Sequence, residues 1–281
     1  MGDAVVLPLS ITSDYQCDWG SPEPCLRRIA KAGFTHIHWC HQWKTDFIYC
    51  DAELAQIGEW MREYGLSLCD IHASSGVEKR WMSPVEYERL AGIELVKNRI
   101  DMAARLGSNV IIMHIEQIPD VPEEVGPYWT RVCSTLDTLE PYALEKGVRI
   151  ALENGKLPTI REILKKYSPD FLGLCYDCGH GNLDVGGIDD FETLIHRLLA
   201  VHLHDNDGLK DWHRPVYSGT IDWPQLTTLI AKSSYKKPPS MELNMNNTDF
   251  KDEDEYLSEM FAIGQRLAHS LEEERKRVSA C

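Results

Sequence analysis

The sequence predicts an α/β protein, a single (β/α)8 barrel spanning residues 1–281. Apolar, β-branched runs alternate with longer segments of helical period from end to end, and the alternation repeats eight times. Eight such units in 281 residues are the count and size of that architecture. No composition shift or Pro-, Gly- or Ser-rich linker divides the chain. A doubly wound open sheet is the alternative, but no glycine-rich turn follows the first strand to hold a nucleotide.

The units run in order. A strand at 5–11 is followed by a helix at 22–32, and Gly33 closes it. Strand 34–39 precedes helix 51–64, which ends at Gly65. Strand 66–71 precedes helix 84–105, opened by Ser83-Pro84 and closed by Gly107. Strand 109–115 pairs with helix 123–146 and its terminal Gly147, and strand 148–153 with helix 158–167. Strand 171–177 is followed by a helix at 188–197, strand 199–205 by one at 222–232 that opens on Asp222, and strand 239–243 by one at 253–275. Residues 271–281 read as the charged, frayed end of the last helix.

Composition narrows the function classes. Lys plus Arg number 29 against 44 Asp plus Glu, a formal charge of -15, which repels phosphate backbones and disfavours nucleic acid as a partner. Nine Cys, scattered without paired spacing, point to reduced thiols, and the Cys175–Cys178 pair is incidental to the Asp177 between them. No apolar run has the length of a membrane span, so no membrane partner and a cytoplasmic location are expected. Gly2 invites a myristoylation reading, but Val6 replaces the Ser or Thr that the motif needs.

In this architecture, the active site lies at the carboxyl ends of the strands. There the sequence places His38 and Trp39, Asp70 and His72, His114 and Glu116, Glu153 and Asn154, Asp177 and His180, His202 and His204, then Glu242. The stretch from Ala200 to His213 alone holds three His and three Asp, ending in Asp211 and His213. Carboxylates converged on one small region repel one another, and a divalent cation relieves that repulsion. The imidazole and carboxylate mixture suits zinc or manganese, with cobalt, iron or magnesium as further options, rather than calcium.

Other residues are expected at the mouth. Lys79-Arg80-Trp81 could meet a substrate phosphate or carboxylate, and His38, Trp39, His41 and Trp43 could line a sugar site. Glu116 is a further acid/base candidate, and Lys210 and Arg214 flank the strand 7 loop. His204 shares a strand face with His202 and is expected one layer nearer solvent, against substrate.

At Ala151-Leu-Glu-Asn, Tyr176-Asp-Cys-Gly-His180, Val201-His-Leu-His-Asp205 and Met241-Glu-Leu, the chain resembles the xylose isomerase-like TIM-barrel superfamily, over nearly its whole length. That superfamily contains sugar isomerases and epimerases as well as endonuclease IV. The resemblance implies a divalent ion on Glu153, Asp177, His202 and Glu242, proton transfer by Glu153 and Glu242 through a metal-stabilised enediolate, and His180 on a substrate oxygen. Its substrate would be a small sugar or sugar phosphate, and homo-oligomers are common in the superfamily.

Endonuclease IV-like members use three zinc ions, and His72, His114, His180, Asp211 and His213 fall where that pattern places its additional ligands. Two departures bear on the choice. Gly155-Lys156 and Asp207-Gly208 stand where ketose 3-epimerases carry a second Glu and an Arg, while the acidic balance opposes a grip on duplex DNA. The favoured reading is therefore a metal-dependent sugar isomerase or epimerase. A trinuclear zinc phosphoesterase is the alternative, and a binding protein that kept the barrel without the chemistry is a third.

Overall fold

The computed structural model describes residues 5–17, 19–184 and 186–280, so Gly2 and Cys281 lie outside the described residues. Eight parallel strands succeed one another around a barrel: β1 (Ser10–Thr12), β2 (His36–Trp39), β3 (Ser67–His72), β4 (Val110–His114), β5 (Arg149–Glu153), β6 (Leu172–Asp177), β7 (Leu198–His202) and β8 (Ser240–Met241). The remaining seam is bridged where Leu203 meets Met241 in parallel. There the Leu203 N–H donates to the Ser240 carbonyl at 2.9 Å and the Glu242 N–H to the Leu203 carbonyl at 3.3 Å. This seam sets Glu242 beside His202.

Helices α1 (Glu23–Ala32), α2 (Asp51–Tyr64), α3 (Glu86–Leu106), α4 (Pro122–Lys146) and α5 (Leu157–Leu164) lie within a few residues of their expected spans. Gly33, Gly65, Gly107 and Gly147 all cap in the left-handed conformation that the sequence assigned to them. α8 (Trp223–Lys232) opens on Asp222, whose side chain accepts from the Gln225 N–H, as expected of an N-cap.

Three expectations need correction. The first strand begins at Ser10 rather than Val5: Pro8 has no N–H for a ladder, and Val5 and Val6 are exposed. The helix expected at 188–197 is the short α7 (Gly187–Glu192) and a 3-10 turn at Ile195–Arg197, and an unexpected short helix, α6 (Cys178–Leu183), precedes them. Here Asp177 caps α6 by accepting the His180 N–H at 2.7 Å, and Gly186, at φ 85°, stands between the two helices. α9 (Glu253–Ser279) does not fray at Leu271, which is buried, but continues to Ser279.

Period two along the strands separates two cores. Ile111, Met113, Ile150, Leu152, Leu174 and Val201 belong to the large core shared with the helices. Their alternates Val110, Ile112, Ala151, Cys175 and Ala200, with Leu199 at the register shift between β6 and β7, form a small separate cluster. Continuing that second face toward the strand ends leads to His114, Glu153, Asp177 and His202, so the polar site caps the barrel's own interior.

Candidate metal centre

Register brings the ligand candidates together before any loop does. His114 pairs with Glu153 across β4 and β5, and Asp177 with His202 across β6 and β7. Around His202 Nδ1 stand Glu242 Oε2 at 3.0 Å, Glu153 Oε1 at 3.4 Å and Asp177 Oδ2 at 3.7 Å. His202, Asp177 and Glu153 are buried. Yet among the described residues none gives His202 Nδ1, Glu153 Oε2 or Glu242 Oε2 a hydrogen bond of good alignment, close as these atoms lie to one another. Leaving such atoms unsatisfied costs about 1–3 kcal/mol apiece, more when charged, and a cation among them removes that cost. The donor set therefore fits a divalent ion.

Two further groups adjoin this one. His72 Nε2 and His114 Nε2 each lie 3.4 Å from Glu153 Oε2, so Glu153 is common to both groups. On the other side Asp211 Oδ2 is 3.2 Å from His180 Nε2 and 2.9 Å from His213 Nε2. His72 Nδ1 donates to the Ala73 carbonyl at 2.9 Å, His180 Nδ1 to that of Asn154 at 2.9 Å, and His213 Nδ1 to that of Glu242 at 3.0 Å. In each ring this tautomer leaves the Nε2 lone pair for the site, the arrangement metal-ligating histidines adopt.

The electrostatics agree. Burial by itself would push Glu153 and Glu242 up, but the surrounding imidazoles, His114 and His202 for the first and His202 for the second, pull both well below the carboxylate range. Burial opposes charge on His180 and His213, yet Asp177 and Asp211 lead the groups that push them up to about 11 and about 10. Without a cation, protons on histidine balance the carboxylates.

The expected substrate contacts separate. Trp43, after β2, lies over the site with its ring 4.0 Å from His72 and 5.5 Å from His114, and His114 is itself 39% exposed. Glu116 is exposed and, with Arg80, Trp81 and His114, borders a cavity of about 240 Å³ beside it. Lys79 is half-buried in the same loop, its N–H donating to Asp46. Trp81 is buried, its carbonyl accepting from Thr135, so it packs on α4 rather than capping the mouth.

Three placements correct the expectation. Trp39 faces the helices, fully buried, and donates its Nε1 to Tyr49. His38 is buried beneath the site, with Nδ1 2.6 Å from Asp70 Oδ1 and Nε2 3.8 Å from Glu242 Oε1. His204 is wholly buried rather than nearer solvent, its Nε2 paired with Asp177 and its ring stacked on that of His213. His41 is buried against Tyr49 and the Gly20 carbonyl, while Lys210 and Arg214 sit over the Trp212 ring.

Sequence reasoning gave no role to the Asp70 beside His38 or to Cys175, which groups with Glu153 and His202. Both are two residues before an expected ligand, so period two was the signal that places them on the same face.

Comparison with known proteins bears on the fold and the family. Residues 26–261 match the family model described as xylose isomerase-like TIM barrel. The chain is 31% identical over 283 residues to the protein y4fM of Sinorhizobium fredii, covering 90% of this chain and 91% of that one. It is 28% identical over 193 residues to MJ1311 of Methanocaldococcus jannaschii, covering 63% and 65% of the two. Among solved structures, a D-tagatose 3-epimerase-like protein superposes with a TM-score of 0.77 at 21% identity, over 97% of this chain and 100% of that one. A D-psicose 3-epimerase determined in the presence of D-fructose gives 0.71 at 17%, over 93% and 96%. At these identities the superpositions establish the fold.

Proposed function

The chain belongs to the xylose isomerase-like TIM-barrel family, and from that premise we propose that it is a divalent-metal-dependent isomerase or epimerase of a small sugar or sugar phosphate. The observation carrying the proposal is the pair of carboxylates, Glu153 buried and Glu242 half-buried, that face the same His202 nitrogen at 3.4 and 3.0 Å. Solved epimerases superposing over the whole barrel support the substrate class.

Glu153, Asp177, His202 and Glu242 would hold the cation. A divalent ion there supplies Lewis acidity toward a carbonyl oxygen and offsets the charge that develops on it. The residues themselves do the rest. Glu242 and Glu153, both ionised, are bases able to take a proton from the carbon next to the carbonyl and return one from the other side. His180, whose Nε2 lies 3.2 Å from Asp211, is placed to hydrogen-bond a substrate oxygen. Trp43 offers an aromatic face to the apolar side of the sugar.

A second reading has its own observation: the His72–His114–Glu153 and His180–Asp211–His213 groups would complete a trinuclear zinc phosphoesterase. The charge of -15 opposes a nucleic-acid substrate for it. The experiment is incubation with a panel of ketoses and ketose phosphates in deuterium oxide, read by proton NMR, beside an incision assay on abasic duplex DNA. Deuterium at the carbon next to the carbonyl, abolished by Glu242→Gln, is the expected result. Incision of the duplex without any exchange would overturn the isomerase reading in favour of the second.

A further inference from the structure

Resting on the metal-centre reading, we propose that His204 is a positioning residue for the central cation, acting through Asp177, and that its ring ties the outer His180–Asp211–His213 group to the same carboxylate. His204 lies two residues past His202 and is fully buried. Its Nε2 stands 3.0 Å from both oxygens of Asp177, so one N–H is shared across the carboxylate. Those oxygens lie 3.7 Å from His202 Nδ1 and 3.9 Å from His180 Nδ1. The carboxylate that His204 fixes therefore borders both the central and the outer groups.

The other face of the ring is engaged too. It lies on the His213 ring at 4.0 Å, with the planes 10° apart, and His213 pairs through Nε2 with Asp211 at 2.9 Å. The local fold is shaped around this imidazole. A Cβ on Gly179 would stand 1.9 Å from His204 Cε1, so the absence of a side chain there makes the room. The Cys178 thiol donates to the His204 carbonyl at 3.1 Å and pins the backbone. A residue held on four sides, with its one buried donor spent on a ligand carboxylate, has the position of an outer support for a metal site.

The test is zinc binding by the chelator-stripped full-length protein, followed by calorimetry, with cobalt(II) absorption as a second probe of ligand geometry. His204→Ala is expected to weaken the tightest zinc site about 10–100-fold, the usual effect of losing such a support. His204→Gln keeps an N–H within reach of Asp177 and is expected to recover most of that loss, while Gly179→Ala, which displaces the ring without removing it, reproduces the weakening. In a double-mutant cycle with His213→Ala, the effects on zinc affinity are expected to be non-additive by about twofold or more, as for residues in contact.

Parental zinc affinity and cobalt spectrum in His204→Ala, even with a lower melting temperature, would mean that His204 only packs, and would overturn the proposal. Additive effects in the cycle would overturn the tie to the outer group. Should His204→Ala not fold, His204→Gln and Gly179→Ala carry the test, and parental affinity in Gly179→Ala overturns it. If the parental protein binds neither zinc nor cobalt, the metal-centre reading itself fails, a result distinct from a defect confined to the variants.

Discussion

Asp70 and His38 are both fully buried and 2.6 Å apart beneath the site. Burial and the neighbouring His202 pull His38 down, but Asp70 and Glu242 outweigh them and hold it up at about 10. The folded value thus exceeds the unfolded one, so the contribution of protonated His38 to stability is full below about pH 6.5 and is lost as the pH rises through about 10. Asp70→Asn leaves that imidazolium without its counter-charge, and the expected cost is about 3–5 kcal/mol near neutrality or below. Urea unfolding at about pH 6 and about pH 10 checks it: the cost should shrink at the higher pH, and equal costs would contradict the assignment. At the site itself, His180 and His213, pushed to about 11 and about 10, hold protons at neutral pH when no cation is bound. Zinc bound at the outer group, as the trinuclear reading requires, needs those lone pairs, so binding there should release protons and tighten as pH rises from about 7 to about 9. Calorimetry in two buffers of different ionisation enthalpy measures the release, and a buffer-independent enthalpy would count against it.

Single glycines set how the elements meet. A Cβ at Gly92, in α3, would stand 2.3 Å from the Trp81 nitrogen, and backbone cannot yield as a side-chain tip can. α3 therefore seats the loop that carries Lys79 and Trp81 along the rim. Gly92→Ala should destabilise by about 1–3 kcal/mol through this overpacking. Gly126→Ala, in α4 with nothing beyond its chain neighbours within 4 Å of the added carbon among the described residues, gains helix propensity but precedes Pro127, and should change stability by no more than about 0.5 kcal/mol. Paired urea melts decide, and a similar cost at both positions would refute the contact argument. Most elements were legible because each carried its own punctuation, as Gly33, Gly65, Gly107 and Gly147 did. The segment after β6 was not. Its apolar residues suit one helix, whereas a side-chain cap from Asp177 and the left-handed Gly186 divide it, and caps of that kind depend on where the ligand strand ends.

For the whole molecule, a charge of -15 with a knot of ionised carboxylates at one end of the barrel makes cations the natural counterweight. Zinc at about 100 times its dissociation constant should add about 2.7 kcal/mol to the folding free energy. A melting temperature raised by zinc or manganese and lowered again by a chelator is the expected result, and an unmoved transition would argue against a resident ion. The sequence by itself determined the barrel, the family and the end at which the site lies, because strand periodicity and strand order are local properties that eight repeats make redundant. It also named the ligand candidates, since His72, His114, Glu153, Asp177 and His202 each end a strand and Glu242 follows one directly. Only the tertiary structure decided how they group: Glu153 between two sets, Asp70 behind His38, Trp39 in the core and His204 beneath the surface. Those outcomes depend on barrel closure at the Leu203–Met241 seam and on which partners each side chain meets past its strand, and no residue's neighbours in sequence specify either.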